Sequence, residues 1–232
     1  MPTSRYILDF NSLKFLLLLI SINVFLAFSI IYLFLNEGLY YQSFGEQLAV
    51  DRIDKMFGDF QKWRWIGYLF IPIAVLIRVS FTAICLYIGC FIANSQIRFR
   101  VLFTLSLLAD FVFVLAGIAK LVILIFFKDV SKLDDLQFQP LSFLELFPKN
   151  TIEKMFIYPF SLLSVFELLY WLVLAWLLSG LLEKSFGNSL NRVASSYGVG
   201  LLLWVLFVMF LTVNLTWWKN GLVIWLYSHC WQ

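Results

Sequence analysis

The sequence predicts an all-α fold, a polytopic membrane helix bundle with about five transmembrane helices in a single membrane domain. Hydrophobic residues make up 62% of the 232 residues and charged residues only 13%. Soluble domains, in contrast, carry roughly 45–50% apolar and about 25% charged residues. Apolar stretches of about 20 residues, the length that crosses a bilayer, recur along the chain. A water-soluble fold could not bury this much apolar surface, so the solvent of the fold must be lipid.

The first span is expected at 13–35 and follows the basic residues Arg5 and Lys14. Its apolar run is longer than the roughly 7–15 residues of a signal-peptide core, and no small-residue cleavage site follows it. We therefore interpret this segment as an uncleaved membrane anchor. The other four spans are expected at 65–92, 101–127, 155–182 and 193–218.

The second and fourth spans contain proline, Pro72 and Pro159, each near one end of its predicted helix. Because proline is ordinary near helix ends, broken helices of the kind that form transporter sites are the less favoured interpretation. The fifth span begins with small residues. Together with lipid-facing aromatic residues, they form a candidate surface for binding other membrane proteins. The small residues are Ala194, Ser195, Ser196, Gly198 and Gly200.

An amphipathic segment precedes the second span, at 46–63. Its apolar residues recur at i, i+4, i+7, i+11 and i+14, which marks one face of a helix. The opposite side carries charges of both signs, so we expect a cap against the bundle or the membrane surface rather than a sensor of lipid charge. The apolar face consists of Ala49, Ile53, Met56, Phe60 and Trp63.

Two further segments are expected at the membrane interface. The connection 128–154 contains an apolar patch between Pro140 and Pro148, which we interpret as an interfacial element or a partner-facing surface. The tail 221–232 is too short to span the bilayer. It contains tryptophan and tyrosine, which favour the level of the lipid headgroups.

Four charged residues fall inside the predicted spans and away from their ends: Arg78, Asp110, Lys120 and Glu167. A charge in the hydrocarbon region costs a few kcal/mol on insertion scales, so two residues of each sign suggest pairing. We measure depth along each helix from the end that lies on the same side of the membrane as the N-terminus. On this measure Arg78 and Glu167 both lie at a depth of about 22 Å and Asp110 at about 15 Å. We therefore predict an intramembrane ion-pair network in which Arg78 pairs with Glu167 and Asp110 is within reach as a third member. Lys120 lies nearer the opposite face, where its side chain can extend towards the headgroups.

Three roles are open for this network. It could be a structural contact between helices, a docking site for a partner subunit, or a relay for protons or ions along a substrate path. Substrate paths usually carry further polar groups, whereas the flanking positions here are leucine, isoleucine, phenylalanine and valine. The structural role is therefore the favoured interpretation.

The sequence contains none of the motifs that carry common enzymatic chemistry, such as G-x-S-x-G, H-E-x-x-H or a phosphate-binding loop. The single histidine, His229, lacks the three or four ligands that a metal site needs. Cys85 and Cys90 lie on different helical faces and are interpreted as small buried residues. We predict no enzyme, no catalytic residue, no cofactor and no metal. The net charge of +3 is too small to indicate nucleic-acid binding.

Basic residues in short loops set the orientation of membrane proteins. Their density is higher on the side that holds the N-terminus and the turns 94–100 and 183–192, so we expect a cytoplasmic N-terminus and a C-terminus on the opposite side. The residue usage is typical of an AT-rich bacterial genome. The expected location is therefore a bacterial inner (plasma) membrane.

Residues 65–215 resemble the Yip1-like family of multi-spanning membrane proteins. The features that carry the resemblance are closely spaced spans, the short basic turn 95–100, the Leu/Phe/Pro stretch 143–148 and the segment 159–166 continuing to Trp171. The resemblance implies a non-enzymatic membrane bundle, an accessory or structural subunit of a larger assembly. Its partners would be other integral membrane proteins in the lipid bilayer. The alternative is a transporter or channel component that uses the intramembrane charges.

Overall fold

The computed structural model describes residues 11–46, 48–147 and 152–229, with side chains for all of these except 154 and 215–229. Over these residues the fold is all-α, which confirms the predicted fold class. The helices are α1 (Ser12–Phe34), α2 (Glu37–Phe44), α3 (Val50–Ile92), α4 (Phe99–Ala109), α5 (Phe111–Phe126), α6 (Lys154–Leu162), α7 (Val165–Leu182), α8 (Phe186–Val193) and α9 (Val199–His229).

Within the described part of the chain, five helical segments are long and apolar enough to cross a membrane, as the sequence predicts. The third is α4 and α5 taken together, and the fifth runs from α8 into α9 through a π-helical turn at Ala194–Gly198. The segments are Ser12–Phe34, Val50–Ile92, Phe99–Phe126, Val165–Leu182 and Phe186–Asn214. The predicted interfacial tail 221–232 falls on residues whose side chains lie outside the described part of the structure.

Helix α3 joins two segments that the sequence analysis separates. It has 43 residues and is therefore about 65 Å long, roughly twice the thickness of a bilayer core. The amphipathic segment 46–63 and the span 65–92 share this helix, and Pro72 lies in its interior. Lys62 and Arg64 lie just before the apolar stretch, but the helix continues through them. Amphipathic and apolar helices have the same backbone conformation, so a change in polarity alone does not end a helix.

Helix α2 packs against the beginning of α3. The buried ring of Tyr40 contacts Phe57 and Phe60, with ring centroids 5.2 Å and 6.2 Å apart, and Ile53 is fully buried. The amphipathic face therefore packs against α2. Only part of the predicted face takes part, since Trp63 is exposed.

The predicted fourth span, 155–182, is interrupted, so α6 and α7 are separate helices. Residues 141–143 lie antiparallel to residues 163–165: the Phe143 amide donates to the Leu163 carbonyl at 2.7 Å, and the Val165 amide donates to the Leu141 carbonyl at 3.1 Å. The hydroxyl of Ser164 accepts a hydrogen bond from the Glu167 amide at 3.1 Å and caps α7. The Ser-x-x-Glu pattern at 164–167 is a sequence signal for this helix start.

The core lies where α3, α4, α7 and the start of the fifth span meet, and a smaller cluster joins α1 to α3, α4 and α5. The helices approach closely at glycine. A Cβ at Gly89 would lie 2.3 Å from the Cβ of Ser196, and one at Gly200 would lie 2.5 Å from Cys85 Sγ. These small residues of the fifth span therefore pack against α3. The sequence analysis expects these residues to form part of a surface that binds partner proteins. In the structure they instead contact α3 of the same chain.

Candidate functional site

A bidentate ion pair joins α3 to the third span. Arg78 Nε donates to Asp110 Oδ1 at 2.7 Å, and Arg78 Nη2 donates to Asp110 Oδ2 at 2.8 Å. Asp110 lies at the interruption between α4 and α5, and its side chain is 0% exposed, whereas the Arg78 side chain is 36% exposed. The guanidinium also lies over the ring of Phe113, 4.2 Å from its centroid. Two parallel charge-assisted hydrogen bonds are among the strongest that side chains form.

The predicted partner of Arg78 was wrong. Arg78 pairs with Asp110 and not with Glu167. Depth along the bilayer, which the sequence analysis used, does not determine which faces of two helices meet. The short turn after α3 makes α4 its antiparallel neighbour, and the long arginine side chain covers the difference in depth to Asp110.

Glu167 has different partners, although it lies close enough to Arg78 for electrostatic attraction. Its Oε1 accepts hydrogen bonds from Trp171 Nε1 and from the Tyr197 hydroxyl, both at 2.9 Å. The residue is in the first turn of α7 and is 6% exposed. Within the described residues no hydrogen bond reaches its second oxygen, Oε2.

Two tyrosines and a threonine complete the site, and the sequence analysis missed all three. The Tyr170 hydroxyl donates to Thr82 Oγ1 at 2.9 Å, and the Thr82 hydroxyl donates to the Arg78 carbonyl at 3.2 Å. The rings of Tyr170 and Tyr197 are 5.5 Å apart. This contact joins the Arg78–Asp110 pair to Glu167. We call these six residues the polar network: Arg78, Thr82, Asp110, Glu167, Tyr170 and Tyr197.

Helical spacing could have found two of the missed residues. Thr82 follows Arg78 by four residues, and Tyr170 follows Glu167 by three, so each lies on the same helical face as its charged neighbour. Tyr197 has no such signal. It is part of the π-helical turn 194–198, and π-turns are frequent at functional sites because they redirect side chains.

Lys120 lies apart from the network. Its side chain is half-buried and forms no ion pair or hydrogen bond with the described residues. It follows Asp110 by ten residues, which is about 15 Å along a helix. The structure thus places it on the third span, away from the other three charges.

Two apolar cavities lie beside the network. One, of about 560 Å³, runs between α3 and the fifth span. The other, of about 740 Å³, lies between α6, α7, α9 and the segment 141–146, and Glu167 is part of its wall. No group of three His, Cys, Asp or Glu side chains in the described residues is placed to hold a metal ion.

The network and the spans together describe a membrane helix bundle with a hydrogen-bonded polar interior. No protein-family model, curated protein or solved structure matches the chain.

Proposed function

We propose that the protein is a non-enzymatic integral membrane subunit, accessory or structural within a larger assembly, whose polar network fixes the packing of its spans. The observation that supports this proposal is that the polar groups bond to one another across helices. Arg78 and Asp110 join α3 to the third span, Tyr170 and Thr82 join α7 to α3, and Tyr197 joins the fifth span to Glu167. Hydrogen bonds across helices are a recognised means of holding membrane bundles together.

A partner-binding role is supported by the projecting part of α3. The helix is longer than a bilayer core is thick, and the charged residues before its apolar part are exposed. They carry both signs and offer a polar surface outside the hydrocarbon region. The exposed charged residues are Asp51, Arg52, Asp54, Lys55, Asp59, Lys62 and Arg64.

Membership of the Yip1-like family remains part of the proposal, as does a bacterial inner membrane with a cytoplasmic N-terminus. The support for the family is the pattern of spans and connections between residues 65 and 215. The support for the orientation is the density of lysine and arginine in the short turns.

The test compares Glu167→Gln with Lys120→Gln. Both substitutions neutralise one charge within a span, but only Glu167 belongs to the polar network. The proposal expects a stable complex when the wild-type protein is purified in mild detergent. Glu167→Gln lowers the yield of that complex and the thermal stability of the chain, while Lys120→Gln leaves both near wild type. Equal effects of the two variants would contradict a structural role of the network.

One observation favours a second candidate, a transporter or channel component. Arg78 keeps 36% of its side-chain surface exposed, so part of this side chain faces outside the core. In this case Glu167→Gln leaves the protein folded and abolishes ion or solute flux in proteoliposomes. Reconstituted wild-type protein that carries no flux, together with a variant that fails to assemble, would eliminate this candidate.

A further inference from the structure

The cavity between α6, α7 and α9 has the size and wall of a ligand site. Its volume is about 740 Å³, and small-molecule sites usually measure about 300–1,000 Å³, with mostly apolar walls and a few polar groups. Two of its walls, α7 and α9, belong to membrane spans, so bilayer lipid lies within reach. The apolar wall includes Leu162, Leu168, Leu201, Leu202, Val205 and Leu206.

Two buried polar side chains of this wall have unused hydrogen-bonding capacity. Ser142 is 4% exposed, and its hydroxyl has no hydrogen-bond partner among the described residues. Glu167 is 6% exposed, and both of its side-chain hydrogen bonds arrive at Oε1. The Ser142 hydroxyl is a fully buried polar atom without a partner. Such an atom costs about 1–3 kcal/mol, so it is rare in native proteins and calls for an explanation.

Ser142 and Glu167 lie at the same end of the cavity. Ser142 is bridged to Ser164, and Ser164 caps the helix turn that carries Glu167. The cavity therefore has a polar end at the N-terminus of α7 and an apolar remainder. This division matches a molecule with a hydrocarbon chain and one polar end.

We propose that this cavity binds an amphiphile of the bilayer whose polar end donates hydrogen bonds, a hydroxyl or a primary ammonium group. An ionised carboxylate only accepts hydrogen bonds, whereas a serine hydroxyl can donate or accept. A donor head satisfies both residues, with the hydrocarbon chain against the leucines of α7 and α9. An anionic head is disfavoured, because it would face the carboxylate of Glu167. The proposal is independent of the role of the protein in an assembly.

The experiment measures binding to the purified full chain in detergent, by native mass spectrometry. The probes are dodecylamine, dodecanol and dodecanoate, which share one chain length and differ only in the head. We expect the amine and the alcohol to bind at one site, and dodecanoate to bind at least about tenfold more weakly, a difference of about 1.4 kcal/mol. Equal binding of all three probes would show simple partitioning and overturn the proposal.

Variants locate the site. Leu202→Trp fills the cavity, and Leu203→Trp is its matched control, since the two leucines are 58% and 61% exposed and Leu203 belongs to the wall of the other cavity. We expect only Leu202→Trp to remove binding. Wild-type affinity in Leu202→Trp would overturn the proposal.

Polar substitutions test the head of the ligand. Ser142→Ala removes one hydroxyl and should weaken the binding of dodecanol several-fold. This variant also tests the site if Leu202→Trp does not fold. Glu167→Gln should abolish the preference for the amine over dodecanoate. If the order of affinities for the three probes is unchanged in both variants, the proposal that the polar end of the ligand donates hydrogen bonds to Ser142 and Glu167 is refuted.

Discussion

The guanidinium of Arg78 and the carboxylate of Asp110 form a bidentate ion pair, with Nε–Oδ1 and Nη2–Oδ2 distances of 2.7 Å and 2.8 Å. The pair lies between α3 and the interruption of the third span, and Asp110 is fully buried. A buried pair of this kind is costly to break, because the remaining charge keeps its desolvation penalty without its partner. Two predictions follow from this pair and from the contacts around it, and two more follow from contacts elsewhere along α3.

Asp110→Asn leaves the charge of Arg78 without its partner. We expect a loss of about 3–5 kcal/mol in the free energy of unfolding, the range found when one member of a buried pair is removed. Chemical unfolding in detergent measures it. Replacing both residues, with Arg78→Met and Asp110→Leu, should recover most of the loss, because apolar residues of similar volume often replace a buried pair without cost. Wild-type stability of Asp110→Asn would contradict the structural role.

Tyr197→Phe and Tyr170→Phe remove one hydroxyl each and keep the aromatic rings. The Tyr197 hydroxyl bonds to a carboxylate, and such hydrogen bonds contribute about 1.5–3 kcal/mol, whereas the Tyr170 hydroxyl bonds to a neutral threonine, for which about 0.5–1.5 kcal/mol is typical. We therefore expect the larger loss of stability in Tyr197→Phe. Thermal unfolding of the two variants side by side measures the order, and the reverse order would show that Glu167 does not depend on Tyr197.

The number of spans could be predicted from the sequence because hydropathy is a property of the chain in one dimension. The partner of Arg78 could not, because it depends on the rotation of each helix and on the helix that the next turn brings alongside. The break before α7 had a signal, Ser164 three residues before Glu167, which the long apolar stretch obscured. No sequence signal marked Tyr197 as a partner of Glu167, because a tyrosine in an aromatic-rich span is equally compatible with a place in the core or at the membrane interface.

Tyr41 links α2 to the projecting part of α3 through a hydrogen bond from its hydroxyl to the Asp54 carboxylate. This hydrogen bond, together with desolvation and the charges of Asp54, Glu37 and Asp51, raises the pKa of Tyr41 to about 12. The unfolded pKa is about 10, so the contribution to stability is complete below pH 10 and is lost as the pH rises to about 12. The difference in phenolate absorbance between wild type and Tyr41→Phe should show one group titrating near 12. A midpoint near 10 would contradict the contact.

Gly89 lies at a close approach of α3 to the fifth span, which makes Gly89→Ala a sharp test of the packing. The added Cβ would lie 2.3 Å from Ser196 Cβ and 2.9 Å from its hydroxyl. Ser196 cannot easily move away, because its hydroxyl donates to the Arg192 carbonyl at 2.6 Å. Overpacking of this kind costs about 1–3 kcal/mol, and Ser196→Gly in the same chain should restore most of it. The matched control is Gly58→Ala, at an exposed position of α3 with nothing within 4 Å of the new Cβ. There the substitution should stabilise the helix by about 0.5–1 kcal/mol. Equal effects at the two glycines would mean that α3 and the fifth span do not touch at Gly89.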